Sequence, residues 1–247
     1  MKKLNMISVT VILMFVLFST AANAQISIQV GAGVGYSIPT GDYAGFASDF
    51  YNGTKYGMGS GINFHGKARV GLVFINAFGE VGYTSFSNDG GIDPTDESKT
   101  VKYSNKVFTI KLGPEYKFDI PMSPVTPYLV GFVSINSISG TVEFKGSPNG
   151  LPSSQQDVAS ATRVGLGAGG GVLFSLGGLN LDLSLQYNLM NVAGKEFSGI
   201  KDNRLDSYIY VNDKVDPLYK TGDSKHIISD SRGISALEFK LTAMFGF

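Results

Sequence analysis

The 247-residue sequence contains no cysteine and no tryptophan, and it has no excess of charge of either sign. Without cysteine, the chain has neither a disulfide framework nor a thiolate metal site. The 20 Lys and Arg residues equal the 20 Asp and Glu residues in number, which argues against a protein that binds nucleic acid. We therefore expect no cofactor and no nucleic-acid partner.

Long apolar runs are also scarce, and the only one lies at the N-terminus. A basic start, Met1-Lys2-Lys3, precedes an apolar stretch from about Met6 to Phe18, and Ala22-Asn23-Ala24 follows as a small-residue cleavage site. These three parts are typical of a secretory signal peptide, so we predict a cleaved signal at residues 1–24 and one mature domain at residues 25–247. Because no other run is long enough to span as a helix, the mature chain enters a membrane as strands or not at all.

The residues that are abundant are typical of β-sheets: the chain has 32 glycines, and its aromatic content of 12% is all Phe and Tyr. The last strand shows the pattern most clearly. From Leu237 to Phe247 every second residue is apolar, and the residues between them include Glu238 and Lys240. This period of two predicts a strand with two unlike faces, and its apolar face ends on Phe245 and Phe247.

About eight segments of this kind follow one another, each near the length that a tilted transmembrane strand needs. The seventh, Leu179 to Leu189, is the most regular, whereas the fifth is apolar on both faces, so its phase stays open. Gly177-Gly178 is a two-residue hairpin signal that pairs Val172 with Leu183. Connections alternate between long and short. We therefore predict an all-β fold, an antiparallel up-and-down transmembrane β-barrel of about eight strands.

A water-soluble lipocalin-like barrel also has eight strands, but it turns its apolar face inward. Three features favour the membrane alternative: charges on the face that carries the glycines, aromatic residues at the strand ends, and the terminal phenylalanine. Two aromatic girdles are expected at the levels of the membrane interfaces. The external girdle comprises Tyr36, Tyr56, Tyr83 and Tyr187, and the periplasmic girdle comprises Tyr116, Phe174, Phe245 and Phe247.

The inward face of the predicted barrel carries five cations, four anions and one histidine. They are His65, Lys67, Arg69, Lys111, Arg163 and Lys240, with Glu80, Glu115, Asp182 and Glu238. Charges inside a narrow barrel must pair, because an unpaired buried charge costs several kcal/mol. We expect them to block the lumen at mid-depth, with Glu80 accepting from Lys67 or His65. We also expect Arg69 or Arg163 to reach across the glycine-rich sixth strand.

The predicted external loop from Ser87 to about Lys102 is a candidate metal site. Asp89, Asp93, Asp96 and Glu97 are four carboxylates in that loop, and carboxylate oxygens bind calcium. Their spacing is not that of an EF-hand, which favours a solvated loop over a metal site. In the sixth strand, residues 165–170 match a dinucleotide-binding glycine pattern, but that motif requires a following helix. Inward glycines that relieve crowding explain the pattern better.

The whole pattern resembles the OmpA-like eight-stranded outer-membrane barrels of Gram-negative bacteria, a group that includes porin-family proteins. The resemblance is carried by Phe247, by the strand end Leu112-Gly113-Pro114-Glu115-Tyr116-Lys117-Phe118, and by Thr126-Pro127-Tyr128 at the start of the fifth strand. It implies insertion by the barrel-assembly machinery, with Phe245 and Phe247 as the assembly signal. It also implies contact with outer-membrane lipid and lipopolysaccharide.

The resemblance implies a surface or envelope role rather than one reaction, and three functions stay open. The first is a structural or surface-interaction barrel whose long loops contact an extracellular protein or glycan, since tyrosine suits such contacts. The loop tyrosines are Tyr43, Tyr51, Tyr208, Tyr210 and Tyr219. The second is a small-solute pore, which a lumen filled by side chains disfavours.

The third function is an enzyme at the barrel rim that acts on lipid A, with one of the two histidines, His65 or His226, as its base. Serines and aspartates flank His226 in the longest loop, but catalysis requires a defined geometry and not proximity in sequence. Neither histidine lies in a recognisable lipid-modifying signature. We therefore predict a protein that is not an enzyme, and we expect a monomer.

Overall fold

The computed structural model describes residues 27–72, 75–118, 120–146, 148–198 and 203–246. Eight antiparallel strands form one closed barrel, in which each strand pairs with its sequence neighbours and the first pairs with the last. The strands are β1 (Ser27–Thr40), β2 (Gly61–Leu72), β3 (Ile75–Gly91), β4 (Thr100–Lys117), β5 (Val125–Lys145), β6 (Gln156–Ser175), β7 (Leu179–Ala193) and β8 (Ser235–Gly246). The predicted all-β architecture is confirmed. The predicted signal peptide, residues 1–24, and Phe247 lie outside the described residues.

The barrel has an apolar outer face and a polar inner face over most of its height. On β7, Leu183, Leu185 and Tyr187 point outward and are between 41% and 53% exposed. Asp182 and Gln186 on the same strand point inward and are fully buried. A continuous band of exposed leucine and aromatic residues is stable against lipid and not against water. The barrel is therefore the inverse of a water-soluble one, as the sequence pattern predicted.

The outward apolar belt has a similar height on neighbouring strands. On β4 it begins at Phe108 and continues to Phe118 just beyond the strand, and on β5 it runs from Val125 to Ile135. A run of about ten strand residues, tilted by roughly 40°, covers about 25 Å, the height expected of the lipid-facing band of a transmembrane barrel. Among the described residues, no helix is long and apolar enough to cross a membrane.

The structure resolves the phase of β5, which the sequence leaves open. Leu129 and Ile135 face outward, whereas Tyr128 and Phe132 face inward and are buried. Both faces of this strand are apolar because the lower part of the lumen contains an aromatic cluster of its own. That cluster consists of Phe78, Tyr128, Val130, Phe132 and Leu173.

The hairpin between β6 and β7 has the predicted register, with Val172 paired to Leu183. Gly177 and Gly178 occupy its turn with φ values of 64° and 93°. Positive φ at both central residues is what a two-residue turn of this type requires, and glycine adopts it at no steric cost. The register prediction from this dipeptide is confirmed.

The strands around the external mouth are longer than predicted. β3 and β4 remain paired as far as Gly91 and Thr100, so the loop predicted from Ser87 to Lys102 shrinks to residues 92–99. Asp89 consequently lies in a strand. β5 and β6 also extend upward, to Lys145 and from Gln156. Pairing continues above the belt because inward residues there still bury apolar side chains beneath the folded loops.

The external loops fold into one body over the barrel mouth, which we call the cap. It comprises residues 41–60, 92–99, 148–155, 194–198 and 203–234, and it contains two short helices, Ala47–Tyr51 and Asp206–Ile209. Its core joins loop residues to the inward faces of the strand ends. Its large members include Tyr43, Phe50, Tyr56, Phe86, Tyr103, Phe144, Tyr208, Ile227 and Ile228.

Tyr56 belongs to this cap core, so its predicted place in the external girdle was wrong. Its ring is buried, and its hydroxyl donates to the carbonyl of Asn212 at 3.0 Å. β2 begins only at Gly61, and Gly57 has a φ of 61°, which interrupts the alternation that would carry Tyr56 outward. The other predicted external residues, Tyr36, Tyr83 and Tyr187, do face outward.

Candidate functional site

The lumen charges form two separate clusters, and the lower one lies nearer the periplasmic end. It consists of Lys67, Arg69, Glu115 and Asp182. Lys67 Nζ lies 2.6 Å from Asp182 Oδ2. Arg69 Nη2 donates to Glu115 Oε2 at 2.6 Å and to Asp182 Oδ2 at 3.1 Å, which joins the two ion pairs. Two cations and two anions cancel within the cluster, and no side chain in it is more than 1% exposed.

Aromatic rings line the lower cluster. The hydroxyl of Tyr128 donates to Asp182 Oδ1 at 2.6 Å, and its ring centroid lies 5.0 Å from Lys67 Nζ and 5.2 Å from the Arg69 guanidinium carbon. Cation–π contacts gain strength when they are desolvated, so the ring supports both cations. Gly171 makes room for it, because a Cβ at that position would lie 2.5 Å from the Tyr128 hydroxyl. The space-making role predicted for the inward glycines of β6 is confirmed at this position.

The upper cluster consists of Glu80, Lys111, Glu238 and Lys240, and it also balances two cations with two anions. Lys240 Nζ lies 2.5 Å from both Glu80 Oε1 and Glu238 Oε2. Lys111 Nζ donates to Glu238 and lies 3.4 Å from Glu80 Oε1. Gln186 of β7 accepts from Lys111 at 2.9 Å. The cluster therefore connects β3 and β4 to β7 and β8 across the barrel.

The predicted partners of Glu80 were wrong. Glu80 lies opposite Lys67 in the β2–β3 ladder, as one of its two predicted pairings requires. However, Lys67 extends across the lumen to Asp182. Glu80 instead accepts from Lys240 of β8. The barrel is narrow enough for a lysine side chain to reach the far wall, so ladder position alone does not choose the partner.

His65 also lies inside the barrel but contacts neutral groups. Its Nδ1 lies 2.8 Å from Asn63 Oδ1, and its Nε2 lies 2.8 Å from Thr242 Oγ1. Asn63 belongs to a layer of buried Asn, Ser and Thr side chains between the upper cluster and the cap. That layer includes Asn63, Thr84, Asn105, Thr109, Ser134, Asn136 and Asn188.

Of the two arginines expected to reach across the lumen, Arg69 does so by contacting Asp182 of β7, whereas Arg163 points up into the cap. Its Nε and Nη2 donate to the two carboxylate oxygens of Asp213 at 2.8 Å and 3.1 Å. Asp213 is fully buried and also accepts from Asn191 Nδ2 at 2.9 Å and from the Glu196 N–H at 2.8 Å. With Arg163 paired outside the lumen, four cations face four anions inside it.

Arg232 completes the set of polar contacts that hold the cap, which we call the cap latch: Arg163, Asn191, Asp213 and Arg232. The Arg232 guanidinium carbon lies 4.1 Å from the centroid of the Tyr56 ring, and the backbone N–H of Arg232 donates to the backbone carbonyl of Asp213 at 3.0 Å. Sequence reasoning missed the other three members, Asn191, Asp213 and Arg232. The available signal was that Asp213 and Arg232 lie in the longest polar segment two positions from apolar residues, Val211, Val215 and Ile234, which is a weak indication of burial.

A second set of contacts joins two cap loops at the outer surface. Arg204 donates to the Tyr208 hydroxyl at 2.8 Å and to the Tyr51 carbonyl at 2.7 Å, and its guanidinium carbon lies 4.4 Å from the Tyr51 ring centroid. Burial raises the pKa of Tyr208, so its hydroxyl stays protonated and donates to the Tyr51 carbonyl at 2.6 Å. Tyr43 and Tyr208 are buried, so neither offers the binding contact that the sequence predicted for it.

The four carboxylates of the candidate metal site do not converge on one point. Asp89 lies in β3, and Glu97 is exposed in the loop. Asp93 and Asp96 instead accept hydrogen bonds from hydroxyls of their own turn, at 2.6 Å each, and Lys99 lies within 3.5 Å of both. Within the described ranges of the chain, no group of three or more His, Cys, Asp or Glu side chains is arranged to hold a metal ion.

The imidazole of His226 contacts an aspartate that is not among its near neighbours in sequence. Its Nδ1 lies 2.8 Å from Asp216 Oδ2, a residue ten positions earlier. Asp223 accepts from the N–H of Lys225 at 2.7 Å, and the hydroxyl of Ser229 donates to Asp230 at 2.9 Å. These contacts join residues within one cap loop.

Two hollows open on the cap, and Asn149 lines both. One has a volume of about 270 Å³ and includes Arg204 and Lys225 in its walls. The other has a volume of about 240 Å³ and includes Tyr51 and Lys99. Asn149 Nδ2 donates to the Tyr51 hydroxyl at 2.7 Å, which fixes the amide between them. Both hollows present amide, hydroxyl and cationic groups, a donor-rich lining that suits polar ligands.

Comparison with known proteins gives one family match. The family model described as the outer membrane protein beta-barrel domain matches residues 10–208. Among curated proteins, none matches the sequence.

Several solved structures are similar to this chain at low sequence identity. Neisserial surface protein A is 17% identical, with 90% of this chain and 95% of the other covered and a TM-score of 0.42. The N-terminal β-barrel domain of Pseudomonas aeruginosa OprF is 10% identical, with 91% and 100% covered and a TM-score of 0.42. A major outer membrane protein from Thermus thermophilus is 20% identical, with 90% and 100% covered and a TM-score of 0.49.

Proposed function

Because the chain belongs to the outer membrane protein beta-barrel domain family, and so resides in the bacterial outer membrane, we propose that it is a closed barrel that presents its cap as a binding surface. The observation that carries this proposal is the complete pairing of eight buried charges in two neutral clusters beneath a packed cap core. A pore would keep its lumen charges available to water and ions.

The lumen supports closure at three levels. The lower ionic cluster with its aromatic lining, the upper ionic cluster and the cap core follow one another from the periplasmic end to the external end. An ion entering the lumen would have to displace a paired lysine or arginine from its carboxylate. Breaking one buried pair costs about 3–5 kcal/mol, which is a large barrier to passage.

The cap supports a binding role because it is folded. Its aromatic core and the cap latch hold the external loops in one arrangement, so a ligand meets a surface that is already ordered, which lowers the entropic cost of binding. We propose the two hollows around Asn149 as the contact region and an extracellular protein or glycan as the ligand. Tyr51, Arg204 and Lys225 supply an aromatic ring and donors for such a ligand.

The outer wall supports contact with lipopolysaccharide. Lys102 and Lys106 of β4 are exposed above Phe108, where the apolar belt ends, so their ammonium groups lie at the level expected of lipid phosphates.

Pairing of β1 with β8 leaves no free strand edge, which supports a monomer. Phe245 faces outward on β8, and we propose that it acts with Phe247 as the signal read by the barrel-assembly machinery.

The binding role can be tested on cells that lack the protein and are complemented with variants. Lys225→Glu and Asn149→Asp change the hollows, and Lys214→Glu makes the same charge change at an exposed cap residue that lines neither hollow. Cells would be screened against an array of glycans and immobilised matrix proteins. We expect at least one probe to be bound by wild-type and Lys214→Glu cells and to be lost with the hollow variants.

Equal binding of every probe by cells with and without the protein would overturn the surface-interaction role. A small-solute pore is the alternative, and it would require a stable open conductance. An enzyme acting on lipid A receives less support, since His226 is buried within the cap and His65 contacts neutral side chains inside the barrel.

A further inference from the structure

The connection between β4 and β5, at the periplasmic end, exposes large apolar side chains. Phe118 and Ile120 are about half exposed, and Met122 is fully exposed. In sequence, the connection at residues 118–124 reads Phe-Asp-Ile-Pro-Met-Ser-Pro, and Asp119 is the one charged residue in it. A turn that extends into water normally carries polar residues, so this composition calls for an apolar or interfacial surrounding.

Met122 combines an exposed apolar side chain with a strained backbone conformation. The N–H of Ser123 donates to the carbonyl of Ile120 at 3.1 Å, which closes a four-residue turn with Pro121 and Met122 at its centre. Met122 has a φ of 61°, a conformation that this position of a type II turn gives to glycine or asparagine. The turn therefore accepts backbone strain and places an apolar side chain outward, although glycine would fit the turn with less strain and no exposed apolar surface.

The neighbouring periplasmic hairpin shares this character. Leu176 at its tip is 58% exposed, and the N–H of Ser175 donates to the carbonyl of Pro124 at 2.8 Å, so the two turns lie side by side. In sequence, the connection from β2 to β3 is apolar as well, reading Leu72-Val73-Phe74. By contrast, the external loop at residues 92–99 contains Asp, Glu, Lys, Ser and Thr.

The exposed turn residues continue the lipid-facing belt. The Phe118 ring packs edge-to-face on Tyr116, an outward belt residue, with 5.0 Å between the ring centroids. Leu176 likewise follows outward-facing Phe174. We propose that the two neighbouring periplasmic turns at residues 120–124 and 176–178 insert into the head-group region of the phospholipid leaflet that faces the periplasm, with Met122 and Leu176 as interfacial anchors. This inference is independent of the binding role of the cap.

A lipid partner fits better than a periplasmic protein for two reasons. The apolar surface is continuous with the belt that lipid already covers, so a membrane buries it without further recognition. The residues at the tip also lack charged or bulky aromatic groups of the kind that give specificity at protein interfaces. Insertion of the turns would shift the barrel toward the periplasmic leaflet, and the cap would project from the external surface of the membrane.

The natural absence of tryptophan makes the inference directly testable, because one substitution introduces the only indole in the chain. The Met122→Trp variant of the full mature protein would be refolded into phosphatidylcholine liposomes. Leu112→Trp, in the middle of the belt, and Val215→Trp, exposed on the cap, serve as matched controls. Emission wavelength, quenching by lipids brominated near the head group, and quenching by aqueous iodide would be measured for each variant.

We expect Met122→Trp to emit at shorter wavelength than Val215→Trp, to be quenched by the brominated lipids, and to be shielded severalfold from iodide relative to that control. Emission and iodide quenching equal to those of Val215→Trp would overturn the inference. Shielding that arises only after a periplasmic extract is added would overturn it in favour of a protein partner. Leu176→Trp provides the same readout on the adjacent turn if Met122→Trp does not refold.

Discussion

The lumen clusters and the cap latch both bury charged side chains, but they are built in different ways. In the lumen, all eight charged side chains come from strands, and they balance as two neutral groups of four. In the cap latch, Arg163 of β6 meets Asp213, which lies 50 residues further along the chain in a loop. The lumen clusters are therefore part of the barrel itself, whereas the latch attaches one folded body to another.

Because of this difference, substitutions in the lumen clusters and in the cap latch should affect stability in different ways. A charge left unpaired in the lumen lies among closed barrel walls and cannot reach bulk water without opening the barrel. A charge left unpaired at the rim can become hydrated when the cap loosens locally. Lumen substitutions should therefore destabilise the whole barrel, and latch substitutions should release the cap while the barrel persists.

The largest effect is expected from Asp182→Ala. This change leaves Lys67 and Arg69 facing a single carboxylate, and it removes the acceptor of the Tyr128 hydroxyl. The free energy of unfolding in liposomes, measured by urea titration and gel mobility, should fall by about 3–5 kcal/mol.

The control is Asp157→Ala, which removes an exposed carboxylate from a strand and should change stability little. Adding Arg69→Met to Asp182→Ala should recover part of the loss, because the cluster becomes neutral again. A loss below about 1 kcal/mol for Asp182→Ala would show that the lumen is hydrated and that its charges are not held by their partners.

The next effect concerns the space within the lumen. Gly167→Val places a Cβ 2.2 Å from the Phe132 ring, so the ring or the strand must move, and overpacking of this kind typically costs about 1–3 kcal/mol. Gly131→Val is the matched control, because a Cβ there meets nothing within 4 Å on the outer face. Urea unfolding of both variants measures the difference, and equal stability of the two would contradict the packed lumen.

The inward position of Asp182 rests on features that the sequence alone provides, whereas the contact between Gly167 and Phe132 depends on the phase of β5, which the sequence leaves open. Alternation on β7 places Asp182 inside, and Gly177-Gly178 sets the register of Val172 with Leu183. A period of two assigns the face of a strand residue, and a hairpin turn fixes its neighbour, so both inferences need only local information.

The sequence does not predict which charged side chains pair when the partner lies on the far wall of the lumen or in a loop. Ladder position suggested Lys67 for Glu80, but the side chains choose partners across the lumen, where distance depends on the tilt of every strand. Arg163 was assigned to the lumen because its partner Asp213 lies in a segment with no periodicity. Tyr56 was assigned to the lipid face because the break at Gly57 depends on a backbone angle.

A smaller effect on the barrel is expected from Asp213→Ala, although the cap should respond strongly. The variant loses the acceptor shared by Arg163, Asn191 and the Glu196 N–H, while Arg163 can turn toward water at the rim. We expect proteolysis within residues 203–234 to rise severalfold and the unfolding free energy of the barrel to fall by about 1 kcal/mol.

Asp230→Ala, an exposed carboxylate in the same loop, serves as the control and should leave protease sensitivity unchanged. Loss of the heat-modifiable gel mobility in Asp213→Ala, to the extent seen with Asp182→Ala, would contradict the separation between cap and barrel.

The smallest effect concerns the turn at residues 92–99. Hydrogen bonds from Thr95 and from Ser98 lower the pKa of Asp93 and of Asp96 respectively, and Lys99 adds to both shifts. Because the folded pKa lies below the ordinary one, these contacts are fully present at neutral pH and are lost as the pH falls through the lowered values. Amide signals of Thr95 and Ser98 in an NMR titration should follow that loss, while the barrel stays folded. Titration at the ordinary aspartate pKa would contradict these contacts.

The most direct test of the closed lumen is single-channel recording in planar bilayers, with the unmodified protein and Asp213→Ala measured side by side. If the two ionic clusters close the barrel independently of the cap, neither protein should show a steady open conductance level. A stable open level in the unmodified protein would contradict closure altogether. A stable level in Asp213→Ala alone would show that the cap, and not the lumen clusters, closes the barrel.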